Sequence, residues 1–178
     1  FTGLTNILIF FLQESLNWTT KASSGTLVVV GVIAIIVQGG LIGPLVKKFG
    51  EMRLTLIGAG FILLACFLLI TTPQENAIVN IYSAVSFLAV GAGLITPTLR
   101  ALISKKLDGD NQGSILSNLQ GLQSLGGVLG IGMAGRVYDD FGPKAPFIAG
   151  SIILLFMIYL IAEGKNNNIS YNKQIKSL

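Results

Sequence analysis

The chain has 178 residues, 52% of them hydrophobic and only 11% charged, with a net charge of +4 and a mean hydropathy of +0.74. Soluble domains carry about 25% charged residues, so this balance excludes an ordinary water-soluble globule and points to an all-α membrane protein. Histidine is absent and Cys66 is the only cysteine, which removes Ser-His-Asp and Cys-His nucleophiles, the usual zinc ligand sets and any disulfide within the chain.

The first run, "FTGLTNILIFFLQ" at 1–13, starts already apolar and without a methionine. It reads as a helix cut at its start, so the chain is expected to be part of a longer one. Five further uncharged runs follow at 25–46, 54–72, 76–99, 111–135 and 145–162. A helix needs roughly 20 apolar residues to cross the hydrocarbon, so these predict six transmembrane helices within 1–163. Strands are not expected, because barrel strands alternate over about 10 residues and these runs do not. Pro44 and Pro97 are expected to bend helix ends, and Pro73 and Pro143 to mark connections. The tail at 164–178 is polar and basic and predicts a disordered cytoplasmic segment resting on anionic lipid.

The positive charges orient these helices. Connections after the first, third and fifth runs hold Lys21, Arg136 and Lys144. Those after the second and fourth, with the tail, hold Lys47, Lys48, Arg53, Arg100, Lys105, Lys106, Lys165, Lys173 and Lys176. Three against nine places the second set and the C-terminus in the cytoplasm, and the plasma (inner) membrane is the expected location. The basic residues sit in short loops and form no aromatic-studded basic face, so nucleic acid is not an expected partner.

Two connections are written alike. "GLIGPLVKKFGEMR" at 40–53 and "GMAGRVYDDFGPKA" at 132–145 align Gly40 with Gly132, Gly43 with Gly135, Phe49 with Phe141 and Gly50 with Gly142. Lys47-Lys48 becomes Asp139-Asp140. Three runs separate the two turns, an odd number, so they are expected on opposite faces, with the lysines cytoplasmic. Two three-helix repeats of inverted topology would produce this pattern, a recurrent architecture of transporters.

At these residues the sequence resembles the major facilitator superfamily, and within it the C-terminal six-helix half of a drug:proton antiporter of the tetracycline-efflux kind. Gly43, Leu45, Lys48 and Gly50 match the family's loop Gly-x-Leu-Ala-Asp-Arg-x-Gly-Arg-Lys, with Lys47 in place of its aspartate and Arg53 following. The stretch "GAGLITPTLRALISKKLDGDNQGSILSNLQGLQSLGGVLG" resembles the family's tenth helix, loop and eleventh helix. The turn "GRVYDDFGPKAPF" resembles the link to the last. The resemblance implies a parent of about twelve helices that moves a small-molecule substrate, with a coupling proton. Its partners would be the N-terminal six-helix half and the lipid bilayer.

The fifth run carries the most candidate chemistry. Gly126, Gly130 and Ala134 recur every four residues, with Gly127 adjoining, and such a face admits a neighbouring helix backbone for packing and gating. Ser114, Ser117, Asn118, Gly121 and Ser124 form a polar stripe, extended by Gln120 and Gln123. Polar groups at membrane depth must be bonded or wetted, so the stripe is expected to face a cavity or another helix. Gln38, Ser83 and Phe87 are further substrate-pathway candidates, Phe87 reading as core before ligand. "GIGMAG" fits a dinucleotide fingerprint but closes an apolar helix, and no cofactor is expected. An independent six-helix module or oligomeric channel is the alternative to a transporter half. An intramembrane protease fails on chemistry, because no histidine and no carboxylate within a span is available.

Overall fold

The computed structural model describes residues 2–15, 18–72, 77–105 and 112–176. Among them every regular element is a helix: α1 (Thr2–Ser15), α2 (Thr20–Ile36), α3 (Ile42–Phe49), α4 (Glu51–Thr71), α5 (Ala77–Ser104), α6 (Gln112–Phe141) and α7 (Ala145–Lys176). Asn17, Pro73 and Lys106 lie outside the described residues. Thr20–Phe49, Glu51–Thr71 and Ala77–Ser104 are long and apolar enough to cross a membrane, while Leu4–Glu14 and Ala145–Ile161 are shorter apolar helices. α6 has the length, 30 residues or about 45 Å, but not the hydropathy, because its first half carries the serines, asparagine and glutamines of the polar stripe.

The prolines act differently from expectation. α2 runs into α3 through one widened π turn, Val37–Leu41, so that Thr20–Phe49 is continuous. The cause lies one turn ahead. Pro44 has no N–H to give the carbonyl of Gly40, and its ring crowds that carbonyl, so the ladder opens where Gly39 and Gly40 bend most freely. Pro97 does not end its helix either; α5 continues to Ser104. Just after it, Thr98 donates to the carbonyls of Leu94 at 2.7 Å and Ile95 at 3.0 Å. α7 likewise runs on to Lys176, beyond the apolar run expected to end at 162 and into the tail expected to be disordered. Its Glu, Lys and Gln residues are good helix formers.

The tightest packing joins α4 and α5. Their contacts pair 51 with 105, 55 with 98, 58 with 91 and 61 with 87, the register of two antiparallel helices. Thr55 and Thr98 share a buried hydroxyl hydrogen bond of 2.9 Å. Phe61 stacks on Phe87 with centroids 5.8 Å apart. Gly58 and Gly91 meet backbone to backbone: a Cβ on Gly58 would lie 2.9 Å from the Gly91 carbonyl oxygen, and one on Gly91 would lie 2.6 Å from that of Gly58. Around this pair Leu8, Leu12, Cys66, Leu69, Ile81, Val85, Leu88 and Phe147 form the main core, and Val37, Leu54 and Leu94 a smaller one.

Both Phe-Gly turns stop a helix at a glycine of positive φ. Gly50 has φ +76° and Gly142 φ +89°, positive values that only glycine adopts freely. Each donates its N–H four residues back, Gly50 to Val46 and Gly142 to Tyr138, both at 2.9 Å. The Gly50 turn lies beside the end of α5, through the ion pair of Glu51 with Lys105. The Gly142 turn lies near the end of α1, where Phe147 meets Phe11 edge to face at 5.5 Å. Trp18, just past α1, packs on Tyr82 near the start of α5 at 6.2 Å.

Candidate functional site

The continuation of α5 past Pro97 creates a polar constellation between α5 and α6. It carries Arg100 within the helix, and the guanidinium reaches across to α6. Its Nη2 donates to Gln120 Oε1 at 2.5 Å and to Gln123 Oε1 at 3.1 Å. The two glutamines are three residues apart on α6 and so share a face. Between the helices lies an open cleft of about 480 Å³ lined by Arg100, Ala101, Ser104, Leu116, Ser117 and Gln120. No acidic residue is among the described residues lining it.

The polar stripe of α6 is exposed along its length. Ser117, Asn118, Gln120, Gln123 and Ser124 all face outward from the bundle, and Ser124 donates to the Gln120 carbonyl at 3.0 Å. Leu122, Leu125, Val128, Leu129 and Met133 are exposed beside them, each by 60–70%. Gly126 is exposed and Gly130 half-buried, and a Cβ on either would meet nothing within 4 Å. Gly127 is half-buried. At Gly126 and Gly130 the expected close approach is therefore not made to any of the described residues; one is made at Gly58 and Gly91.

The other sequence candidates lie apart. Ser83 and Phe87 are half-buried in the first half of α5, about 20–25 Å from Arg100 along the helix, with Phe87 packed on Phe61. Gln38 is exposed in the π turn, its Cγ 3.9 Å from where a Cβ on Gly93 would sit, some 10 Å along α5 from Arg100. Gly43, Lys47 and Lys48 are exposed on α3, Lys48 lying 5.3 Å over the Phe49 ring, and Arg53 is exposed at the start of α4. Arg100 was legible only as a loop cation. The signal that places it in the site is the helix-forming "LRALIS" after Pro97, which continues α5 for seven residues.

Apolar helices with capped turns, a glycine-packed pair and an exposed polar face define a polytopic helical membrane protein. Residues 1–131 match the model of the Major Facilitator Superfamily, and the chain belongs to that family. It is 30% identical over 124 residues to the class H tetracycline resistance protein of Pasteurella multocida, covering 70% of this chain and 30% of that protein. Identity to the class C tetracycline resistance protein of Escherichia coli is 27% over 127 residues, 68% of this chain and 30% of the other. Multidrug resistance protein 2 of Bacillus subtilis is 21% identical over 169 residues, 93% of this chain and 41% of its own length. The chain thus spans about a third of the curated relatives it matches. No solved structure matches it.

Proposed function

We propose that this chain is the C-terminal six-helix half of a secondary active transporter that expels a small organic solute or drug by alternating access, coupled to protons. The observation that carries the reading is α6, a family-matched helix whose polar stripe and flanking leucines are left exposed together. A face holding Ser117, Asn118, Gln120 and Gln123 is costly in lipid and suits a water-filled cavity between two bundles. The short share of each relative that the chain covers supplies a natural occupant for the other side of that cavity, an N-terminal six-helix half. Gly126, Gly127 and Gly130 would give that half a smooth surface to slide on. The relatives, tetracycline and multidrug resistance proteins by name, favour a drug-like solute over a nutrient.

Within the chain we read two inverted three-helix units, 1–72 and 76–163, in the plasma membrane with a cytoplasmic C-terminus. The matched Gly50 and Gly142 stops at different ends of the bundle support this. Cysteines placed at Lys47 and Asp140 of the full-length protein test it by labelling in intact cells. Position 47 is expected to label only from the cytoplasm and position 140 only from outside. Labelling of both from one side removes the inverted repeat. For transport, the full-length protein in proteoliposomes is expected to move tetracycline or a carboxylate-bearing drug against its gradient when an inward proton gradient is imposed. Flux indifferent to that gradient removes the coupling, and absence of flux for a panel of such solutes removes the function.

A further inference from the structure

We propose that the cleft between the end of α5 and the first turns of α6 is a subsite for an oxyanion, a carboxylate or phosphate carried by the solute, with Arg100 as its charge. The proposal rests on the transport reading only for identifying the occupant as a solute.

A guanidinium has five N–H donors in a fixed fork. Here one nitrogen, Nη2, is shared between two neutral amide oxygens. Neither glutamine can neutralise the cation, and Nη1 and Nε meet no acceptor among the hydrogen bonds of the described residues. The glutamines are also fixed in orientation. A cation against their side chains requires the Oε1 atoms inward, so both Nε2 groups are turned away from the guanidinium as donors. Ser117 adds a hydroxyl to the lining. Among the described residues the cleft therefore offers a positive charge, spare donors and no carboxylate, the complement of a planar oxyanion. Its volume, about 480 Å³, falls within the range of small-molecule sites.

The rival role for Arg100 is to neutralise the C-terminal carbonyls of α5, which end four residues later. The geometry opposes it, because Nη2 is directed at α6 and not back along its own helix. A surface ion pair is the other common fate of arginine. Among the described residues no carboxylate pairs with Arg100, and Glu51 is taken by Lys105.

Binding of radiolabelled benzoate, with benzamide as its uncharged isostere, tests the site on the full-length protein in nanodiscs of phosphatidylcholine. Benzoate is expected to bind saturably and benzamide to compete at least tenfold more weakly. R100Q is expected to weaken benzoate about tenfold or more, the loss of one charge-assisted hydrogen bond, while benzamide affinity stays unchanged and reports an intact fold. R100K should retain part of the affinity, and the Q120A/Q123A double variant should lose about threefold. Equal affinity for benzoate and benzamide, or benzoate binding unchanged in R100Q, overturns the subsite. If phosphatidylglycerol displaces benzoate and R100Q abolishes that effect, the oxyanion is a lipid headgroup and the solute assignment falls. Benzoate binding through Arg100 without solute flux in proteoliposomes keeps the subsite and removes the transport reading; flux without any preference for the anion removes the subsite alone.

Discussion

Replacing Gly91 by alanine perturbs the α4–α5 contact at its closest point. The added Cβ would stand 2.6 Å from the Gly58 carbonyl oxygen, 2.6 Å from Ile62 Cγ1 and 3.1 Å from the Ile62 backbone nitrogen. Ordinary contact begins near 3.4 Å, so the helices must part by about 0.8 Å or the backbones must bend. Ile62 can turn its side chain; the two backbone atoms belong to a helix ladder and cannot. Overpacking of this kind costs about 1–3 kcal/mol. Alanine returns up to ~1 kcal/mol through its helix propensity, leaving a net loss of about 1–2 kcal/mol. The separation also strains the Thr55–Thr98 hydrogen bond on the same face. For a chain of this size such a loss lowers Tm by roughly 2–8 °C. The assay is thermal unfolding of the detergent-purified protein, with G126A as the control, since a Cβ there meets nothing within 4 Å. G126A is expected to match or slightly exceed the unmodified Tm. If G91A unfolds at the same temperature as G126A, the close approach of α4 and α5 is not a stabilising contact and the reasoning fails.

The threonine pair predicts a double-mutant cycle: T55V and T98V should each cost about 1 kcal/mol in thermal unfolding, with a coupling of roughly 0.5–1.5 kcal/mol, and zero coupling would show that each hydroxyl is satisfied by its own helix carbonyl alone. Glu51→Gln should lower Tm only slightly, because Lys105 is mostly exposed, and the effect should shrink further in 1 M salt. Leucine at Gly126 or Gly130 should leave membrane insertion intact, since leucine is favourable at a span centre by about 0.3–0.6 kcal/mol, yet slow solute flux by the full-length protein; flux at the unmodified rate with both leucines present would remove the gating role.

The apolar runs of the sequence located the helices, because twenty residues without charge have few alternatives in a membrane. What they could not mark was where each helix stops. Thr98 and the helix-forming residues after Pro97 carry α5 on to Ser104, and the π turn absorbs Pro44, so neither proline ends its helix. That is why the polar stripe of α6 was legible and its arginine was not. A stripe is a periodicity within one helix, whereas the Arg100–Gln120 contact joins positions twenty residues apart across a connection. The glycines show the same limit. Gly126–Gly130 has the better small-residue spacing, but the tight crossing belongs to the "GAG" triplets that begin at Gly58 and Gly91. Spacing identifies a face that can be approached; only the partner's position decides whether it is.

The division between those two sets of glycines has a mechanical consequence. α5 is clamped to α4 by four kinds of contact at successive levels: the Glu51–Lys105 ion pair, the shared threonine hydrogen bond, the glycine crossing and the stacked phenylalanines. Arg100 stands two residues from Thr98, inside that clamp, so its backbone position is set by α4 and α5 together. Gln120 and Gln123 belong to α6, whose most exposed stretch begins at the same level. The cleft is thus assembled from a wall fixed by close packing and a wall with open space behind its glycines. A displacement of α6 of an ångström or two would lengthen the hydrogen bonds at 2.5 and 3.1 Å beyond their working range without disturbing the clamp. Variants of the clamp should therefore show themselves first in Tm, and variants of the α6 face first in solute affinity and flux.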